Sequence, residues 1–377
     1  MRLVIIIVGL LIVSGFMIAW FDQVEVGGEI RGQVDNVVSP GTEYQFARAD
    51  RVRPITFPQD LGEHRDYRAE WWYYTGNLSD ASGQRFGFQL TFFRRAITPN
   101  LPARSSEWAT HQVYFAHFTI TDVAGGTFNF HERYSRGSPE LAGAQSLPYR
   151  VWIDDWSAQE VEPGQVRLQA KEGNFALNLL LQQAKPPVLH GNQGLSQKSE
   201  EPGNANYYYS LTNNPSQGTV TTPRGTFEVT GNSWKDHEWG TSDLGPEAVG
   251  WDWYSLQLED GREVMYFHIR REDGGVEPVS SGTLVNVDGT TRHLAKEDVQ
   301  IKILDQWASQ SGATYPAEWQ LSIPSEGIDL HIKPLLAQQE LQVAFTYWEG
   351  AVRLEGTQTG YGYIEMTGYY DSMRGRF

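Results

Sequence analysis

The stretch EWWYYTGNL, residues 70–78, most limits what this chain can fold into. Side chains on a β-strand alternate between faces, so Trp71 and Tyr73 point one way while Trp72 and Tyr74 point the other. A sheet with one face in water would expose half of these rings, whereas a strand covered on both faces buries them all. The stretch therefore predicts a closed barrel or a sheet packed between two others.

The rest of the chain reads as strands. RFGFQLTFFR (85–94), HQVYFAHFTITD (111–122), FALNLLLQQ (175–183), YYYSLT (207–212) and GTFEVTG (225–231) are short β-rich runs separated by turn residues. Helical periodicity is scarce. Many short strands build sandwiches or barrels, and closure removes exposed edges. At 377 residues the chain exceeds what one hydrophobic core usually organises, which predicts two domains. An internal repeat agrees. WWYYTGNLSD (71–80) aligns with WDWYSLQLED (251–260), and a strand with paired arginines follows each, FGFQLTFFRR (86–95) and VMYFHIRRED (264–273). GTFEVTG (225–231) aligns with GYIEMTG (362–368) as an end marker. These markers predict one β-domain over residues 60–245 and a second over 246–377, preceded by a polar, Gly/Pro-punctuated arm over 22–59.

Residues 3–21 carry no charge, which is long enough to cross a bilayer or to form the core of an export signal. Residues 1–21 are therefore expected to form a hydrophobic helix, either an uncleaved membrane anchor or a cleaved signal. Either way the protein is expected to be exported, held in the periplasm by its N-terminal membrane contact or secreted. A net charge of -16 argues against nucleic acid as a partner, because phosphate binding needs clustered cations. The absence of cysteine excludes disulfides and thiolate metal sites.

DYRAEWWYYTGNL (66–78), SWKDHEWG (233–240), GWDWYSLQL (250–258) and GYGYIEMTGYY (360–370) together resemble the exported AttH-like proteins, which are related to carotenoid 1,2-hydratases. The resemblance runs from about residue 60 to the C-terminus. It implies an all-β chain of two tandem lipocalin-like (calycin-type) antiparallel β-barrels, in a family whose members are mostly described as predicted secreted hydrolases or lipocalin-like proteins. On that reading the rings of Trp71 to Tyr74 fill a barrel on one side and the contact between barrels on the other.

Two stretches carry candidate chemistry. Asp252 stands where the first repeat has Trp72, lies between Trp251 and Trp253, and shares its face with Tyr254. An apolar setting would raise its pKa and suit it to general acid work, or it is a carboxylate bonded to loop amides. In SWKDHEWG, Asp236 and Glu238 share one face of an extended strand while His237 and Trp239 share the other. Hydration of an isoprenoid double bond needs an acid, an aromatic wall for the cation and an ordered water, roles open to Asp252, Trp239 and His237. The alternative is an interdomain connector with satisfied polar groups. Metal binding by Asp236, His237 and Glu238 is disfavoured because adjacent extended residues cannot converge on one ion. The resemblance also offers a placement of the family's proton donor on VMYFHIRR (264–271), where this chain has Tyr266 and His268 and no carboxylate.

Trp72, Tyr74, Trp234, Trp251, Trp253 and Tyr254 are the candidate walls for an apolar ligand. KPPVLHGNQG (185–194) reads as a rigid turn and a loop at a barrel mouth, and His117 as a buried, partnered histidine. No nucleophile elbow, zinc-protease motif, phosphate loop or dinucleotide fingerprint is present, and no cofactor or metal is expected. Two functions fit. One is a binding protein for a lipid or isoprenoid, working alongside an envelope ABC transporter. The other is a hydratase or hydrolase of an apolar substrate using Asp252, His237 and Trp239.

Overall fold

A computed structural model of the chain describes residues 46–99 and 110–375. Residues 1–21, read as a hydrophobic helix, and most of the arm over 22–59 lie outside the described residues. Among those described, no helix is long and apolar enough to cross a membrane.

The described residues are nearly all β. The first sheet opens with β1 (Ala69–Asp80), β2 (Arg85–Ala96), β3 (Gln112–Asp122) and β4 (Thr127–Arg136). It continues with β5 (Ala142–Ser146), β6 (Tyr149–Ile153), β7 (Trp156–Glu162), β8 (Gln165–Glu172) and β9 (Phe175–Gln182). Two short strands, β10 (Val188–Leu189) and β11 (Leu195–Gln197), precede the long pair β12 (Ala205–Thr222) and β13 (Gly225–Gly240). The second sheet comprises β14 (Ala248–Leu258), β15 (Glu263–Arg271), β16 (Ser281–Val285), β17 (Thr291–Ala295) and β18 (Gln300–Ala308). It ends with β19 (Thr314–Ile323), β20 (Ile328–Pro334), β21 (Glu340–Gln342), β22 (Thr346–Gly356) and β23 (Gly360–Met366).

The first sheet runs β4-β3-β2-β1-β13-β12-β9-β8-β7-β6-β5 and the second β17-β16-β15-β14-β23-β22-β20-β19-β18. Each is curled rather than flat. In the first, β6 approaches β2, β3 and β4 from the far end of the strand order. Phe118 of β3 meets Trp156 of β7 edge to face at 5.5 Å, inside a core that also holds Trp72, Tyr74, Phe88 and Tyr149. The second sheet curls around Tyr254, Tyr266, Trp319, Ile332 and Trp348. The two sheets repeat one topology: β3-β2-β1-β13-β12 corresponds to β16-β15-β14-β23-β22.

A third cluster lies between the sheets and contains Tyr73, Tyr208, Trp234, Trp253, Phe267 and Tyr363. This explains the rings of β1. Trp72 and Tyr74 fill the first core while Tyr73 packs against the second sheet, meeting Trp253 at 5.0 Å. The burial of β13 changes along its length for the same reason. It is mostly exposed or half-buried over 225–232, and every residue from Ser233 to Gly240 is buried, where the second sheet covers its outer face.

The sheets approach closely through small residues. A Cβ on Gly87 would sit 2.6 Å from Ala351 Cβ of the second sheet. Within the first sheet, one on Gly76 would lie 2.5 Å from Phe88 Cε1 and 2.9 Å from Asn232 O. We expect Gly76→Ala to cost about 1–3 kcal/mol through overpacking, read as a lower urea midpoint at unchanged m-value.

Candidate active site

The site is built on strands whose two faces do different jobs. On β13, Lys235 and His237 point toward the first core and Trp239, on the same face, packs in a neighbouring cluster with Leu195, Tyr207 and Tyr209, while Trp234, Asp236 and Glu238 point toward the second sheet. On β14, Asp252 and Tyr254 point into the second core, and Trp251 and Trp253 point out toward the first sheet.

Between those outward faces lies a cavity of about 120 Å³, the size of one ring-shaped group. Trp71, Tyr73 and Phe93 form one wall and Trp251, Trp253 and Phe267 the other. One end is polar. Lys198 Nζ pairs with Glu238 Oε1 at 2.6 Å, and Asn206 Nδ2 donates to the same oxygen at 2.8 Å. Asp243, on the connection between the sheets, is exposed at this rim.

Asp236 and Glu365 enter this apolar cavity as carboxyl groups. Register pairs Asp236 with Tyr73 and Glu365 with Trp253, and Tyr73 and Trp253 are equivalent positions of the repeated aromatic motif. The two carboxyls are therefore counterparts in the two sheets. This corrects the end marker read from sequence: by strand register, the counterpart of Glu365 is Asp236, not Glu228.

Asp236 accepts from Tyr208 Oη at 2.6 Å, from Trp234 Nε1 at 2.6 Å and from Ser210 Oγ. Burial nevertheless pushes its carboxyl up to about 7, against those three donors. Burial also raises Glu365 to about 7, although Trp251 Nε1 donates to it at 2.5 Å. Behind it, Glu349 is fully buried and takes a hydrogen bond from the Tyr73 hydroxyl. Burial first, and then the charge of Glu365, hold Glu349 well above the carboxylate range. Carboxyls near neutrality in an aromatic-walled cavity can both give and take protons.

The signs make a test. Glu365 has its pKa raised by folding, so its contribution is fully present below the ordinary carboxylate range and is lost as pH rises through about 7. Glu365→Gln should gain on the wild type by about 1.4 kcal/mol per pH unit crossed in that window. Urea unfolding at about pH 5 and about pH 8 checks this, with the gap widening in the variant's favour at the higher pH.

Asp252 does not fit the role of a neutral acid. Its carboxylate pairs with Arg270 Nε at 2.9 Å and His268 Nε2 at 2.9 Å, and accepts from Tyr369 Oη at 3.0 Å. Burial raises its pKa, but the Arg270 and His268 charges outweigh that, and the net shift is downward. The expected trio is also separated: His237 and Trp239 lie on the face of β13 turned away from the second sheet, and Asp252 faces the second core. Tyr266 and His268 point into the second core beside Asp252, away from the cavity. Of the candidate walls, Trp251 and Trp253 line the cavity and Trp234 lies beneath it as a donor to Asp236, whereas Trp72, Tyr74 and Tyr254 are core residues.

His237 instead belongs to a network that plugs the first core. Glu70 Oε1 takes hydrogen bonds from His237 Nε2 at 2.8 Å and His64 Nδ1 at 2.7 Å, and its other oxygen pairs with Arg94 Nε at 2.9 Å. His64, Glu70 and His237 are close enough to suggest a metal site. The charges argue otherwise. His64 uses its second ring nitrogen on Asp60 at 2.8 Å, and the two carboxylates raise its pKa against burial. A ring donating from both nitrogens has no lone pair for a metal. With Arg94 on the same carboxylate, the cluster is already neutralised. His117 is buried between Tyr347 Oη at 2.7 Å and Glu132 at 3.0 Å.

The profile of the AttH-like family matches residues 48–369. The chain belongs to the AttH-like family. The crystal structure of an AttH protein from Nitrosomonas europaea is 34% identical to it, with a TM-score of 0.75 over 84% of this chain and 97% of that one. Kievitone hydratase from Nectria haematococca shares the fold at 14% identity and a TM-score of 0.63, over 87% of this AttH-like chain and 97% of the hydratase. No curated protein sequence matches.

The sequence reading missed Glu365 and Glu349 in this AttH-like chain, and named Asp236 as the face-mate of Glu238 and as a disfavoured metal ligand, not as an acid or base. Glu365 lies in the quoted GYIEMTG stretch, but its position opposite Trp253 depends on a pairing between β14 and β23 that no local pattern specifies.

Proposed function

We propose that this AttH-like chain adds water to, or removes it from, a carbon–carbon double bond of an apolar substrate held between its two sheets. The observation that carries the reading is the pair Asp236 and Glu365, counterpart carboxyls that enter one aromatic-walled cavity and are held near neutrality. Each curled sheet is read as a lipocalin-like barrel whose interior is filled, leaving the contact between barrels as the working site.

Glu365, whose carboxyl is met by a single tryptophan donor and is raised by burial, is assigned as the acid. Asp236, with three donors, is better suited to carry charge and acts as the base. In the hydration direction the Glu365 proton goes to one alkene carbon and the π pair forms the new C–H bond. The cation left on the neighbouring carbon faces Trp71, Trp251 and Trp253, whose π clouds stabilise it. Water attacks that carbon and gives its proton to Asp236, so H and OH are added and no charge remains on the product; the cycle closes when Asp236 gives up that proton and Glu365 takes one from solvent. The reverse sequence expels water. The name of the structural neighbour kievitone hydratase supports the same reaction class.

The test incubates the protein with kievitone and a panel of acyclic isoprenoids in isotopically heavy water and reads products by mass spectrometry. A product heavier by one labelled water supports the proposal. A compound that binds and quenches tryptophan fluorescence but is recovered unchanged from every incubation would make the cavity a carrier site.

A further inference from the structure

Hydration as proposed leaves a proton accounting problem. Each turnover places the proton of water on Asp236, which is only 4% exposed and faces a cavity occupied by product. The carboxyl needs a route to solvent that does not pass through the substrate.

Such a route is built behind it. Ser210 Oγ, on β12, bonds to Asp236 on one side and to His190 Nε2 at 2.6 Å on the other. His190 Nδ1 bonds to Thr283 Oγ1 at 2.9 Å, across the seam on β16 of the second sheet. Thr283 pairs in register with His293 on the edge strand β17, so their side chains are neighbours, and His293 is exposed. The ring of His190 is fixed by its surroundings. Its backbone N–H donates to Tyr208 O at 3.1 Å, its carbonyl accepts from Gly194 at 2.9 Å, and its ring lies 4.3 Å from that of Tyr208. Gly191, at φ 63, makes the turn, where a Cβ would meet Leu195 O at 2.3 Å. This is the loop at 185–194 that the sequence marks as a rigid turn without saying what it holds.

We propose that His190 is the middle link of a proton relay running from Asp236 through Ser210 to Thr283 and the exposed edge of the second sheet at His293. The inference rests on Asp236 being the proton acceptor of the reaction. With Asp236 ionised, Ser210 donates to it, the Nε2–H of His190 donates to Ser210, and Nδ1 accepts from Thr283. With Asp236 protonated, every donor reverses: Asp236 to Ser210, Ser210 to Nε2, and Nδ1–H to Thr283. One proton enters at Asp236, one leaves at the Thr283 end, and the imidazole swaps tautomer without keeping a charge. Burial supports this, lowering His190 to about 3 so that its resting ring is neutral. The charged groups bearing on the chain are Lys198 and His293 near His190, Glu238 beside Asp236, and Lys235 on the other face of β13.

The relay is tested without a substrate. In the full chain with nitrogen-15 histidine, the His190 ring is assigned by its loss in His190→Gln, and the Asp236 carboxyl carbon is followed in parallel from about pH 5 to about pH 9. The expected result is an exchange of protonated and unprotonated signatures between Nδ1 and Nε2, with the midpoint of Asp236. Asp236→Asn should abolish the exchange, and Ser210→Ala should uncouple it while Asp236 still titrates. A His190 tautomer that stays fixed while Asp236 titrates, or a ring that becomes cationic in this range, overturns the relay and leaves the cavity reading standing. An Asp236 carboxyl that does not titrate here overturns both.

Discussion

Replacing Glu365 with glutamine should lower turnover of a hydrated substrate by roughly a hundred- to ten-thousand-fold, the range for loss of a general acid. Glutamine keeps the shape and can still accept from Trp251 Nε1, so KM should change little and the loss should fall on kcat. Asp236→Asn should do the same from the base side, and the double variant should be little worse than either single one, because the two carboxyls act in one cycle. The pH–rate profile should be a narrow bell near neutrality, since both groups are held at about 7. The control is Asp252→Asn. It should leave turnover unchanged while weakening the fold, because Arg270 and His268 lose the carboxylate that pairs them. A variant of Asp252 that lost turnover with its fold intact would return the acid to the second core.

Arg94→Met should produce the largest loss of stability, about 3–5 kcal/mol, as expected when one partner of a buried ion pair is removed. The guanidinium is 1% exposed and serves Glu70, Gln112 Oε1 at 2.7 Å, and the carbonyls of His64 at 2.9 Å and Tyr67 at 3.0 Å. Methionine fills much of the volume and leaves all of these acceptors facing an apolar group. Much of the cost is the charge stranded on Glu70, so Arg94→Met with Glu70→Gln should recover part of it. Denaturant midpoints of the two variants measure the difference. Equal losses in the single and double variants would mean that the carbonyl contacts, not the ion pair, carry the effect.

The fold was legible where geometry is local. Alternation alone divided Trp71 to Tyr74 between two environments, and the structure puts Trp72 and Tyr74 in one core and Tyr73 against the other sheet. The site was legible only in part. Trp251 and Trp253 were named as walls for a ligand, and both line the cavity between the sheets, because alternation already gave them a common face. Asp252 was misread even though the remedy lay in the sequence. The Asp260-Gly261 turn sets the register of the β14–β15 hairpin and brings Asp252 opposite His268, two residues along the strand from Arg270 on the same face. A carboxylate opposite two basic residues is a poor candidate for a neutral acid. Glu365 could not be recovered the same way. Its strand pairs with β14 across more than a hundred residues of chain, and its raised pKa comes from the packing of one sheet on the other.

The central claim is that the cavity between the sheets holds carboxyls that exchange protons near neutrality, and the most direct test is a carbon-13 NMR titration of the Asp236 and Glu365 carboxyl carbons in the wild-type chain. Assigned by Asp236→Asn and Glu365→Gln, both are predicted to titrate with midpoints near 7. Midpoints for both in the ordinary range of about 4 would contradict the account, since neither group could then hold a proton for an alkene at neutral pH.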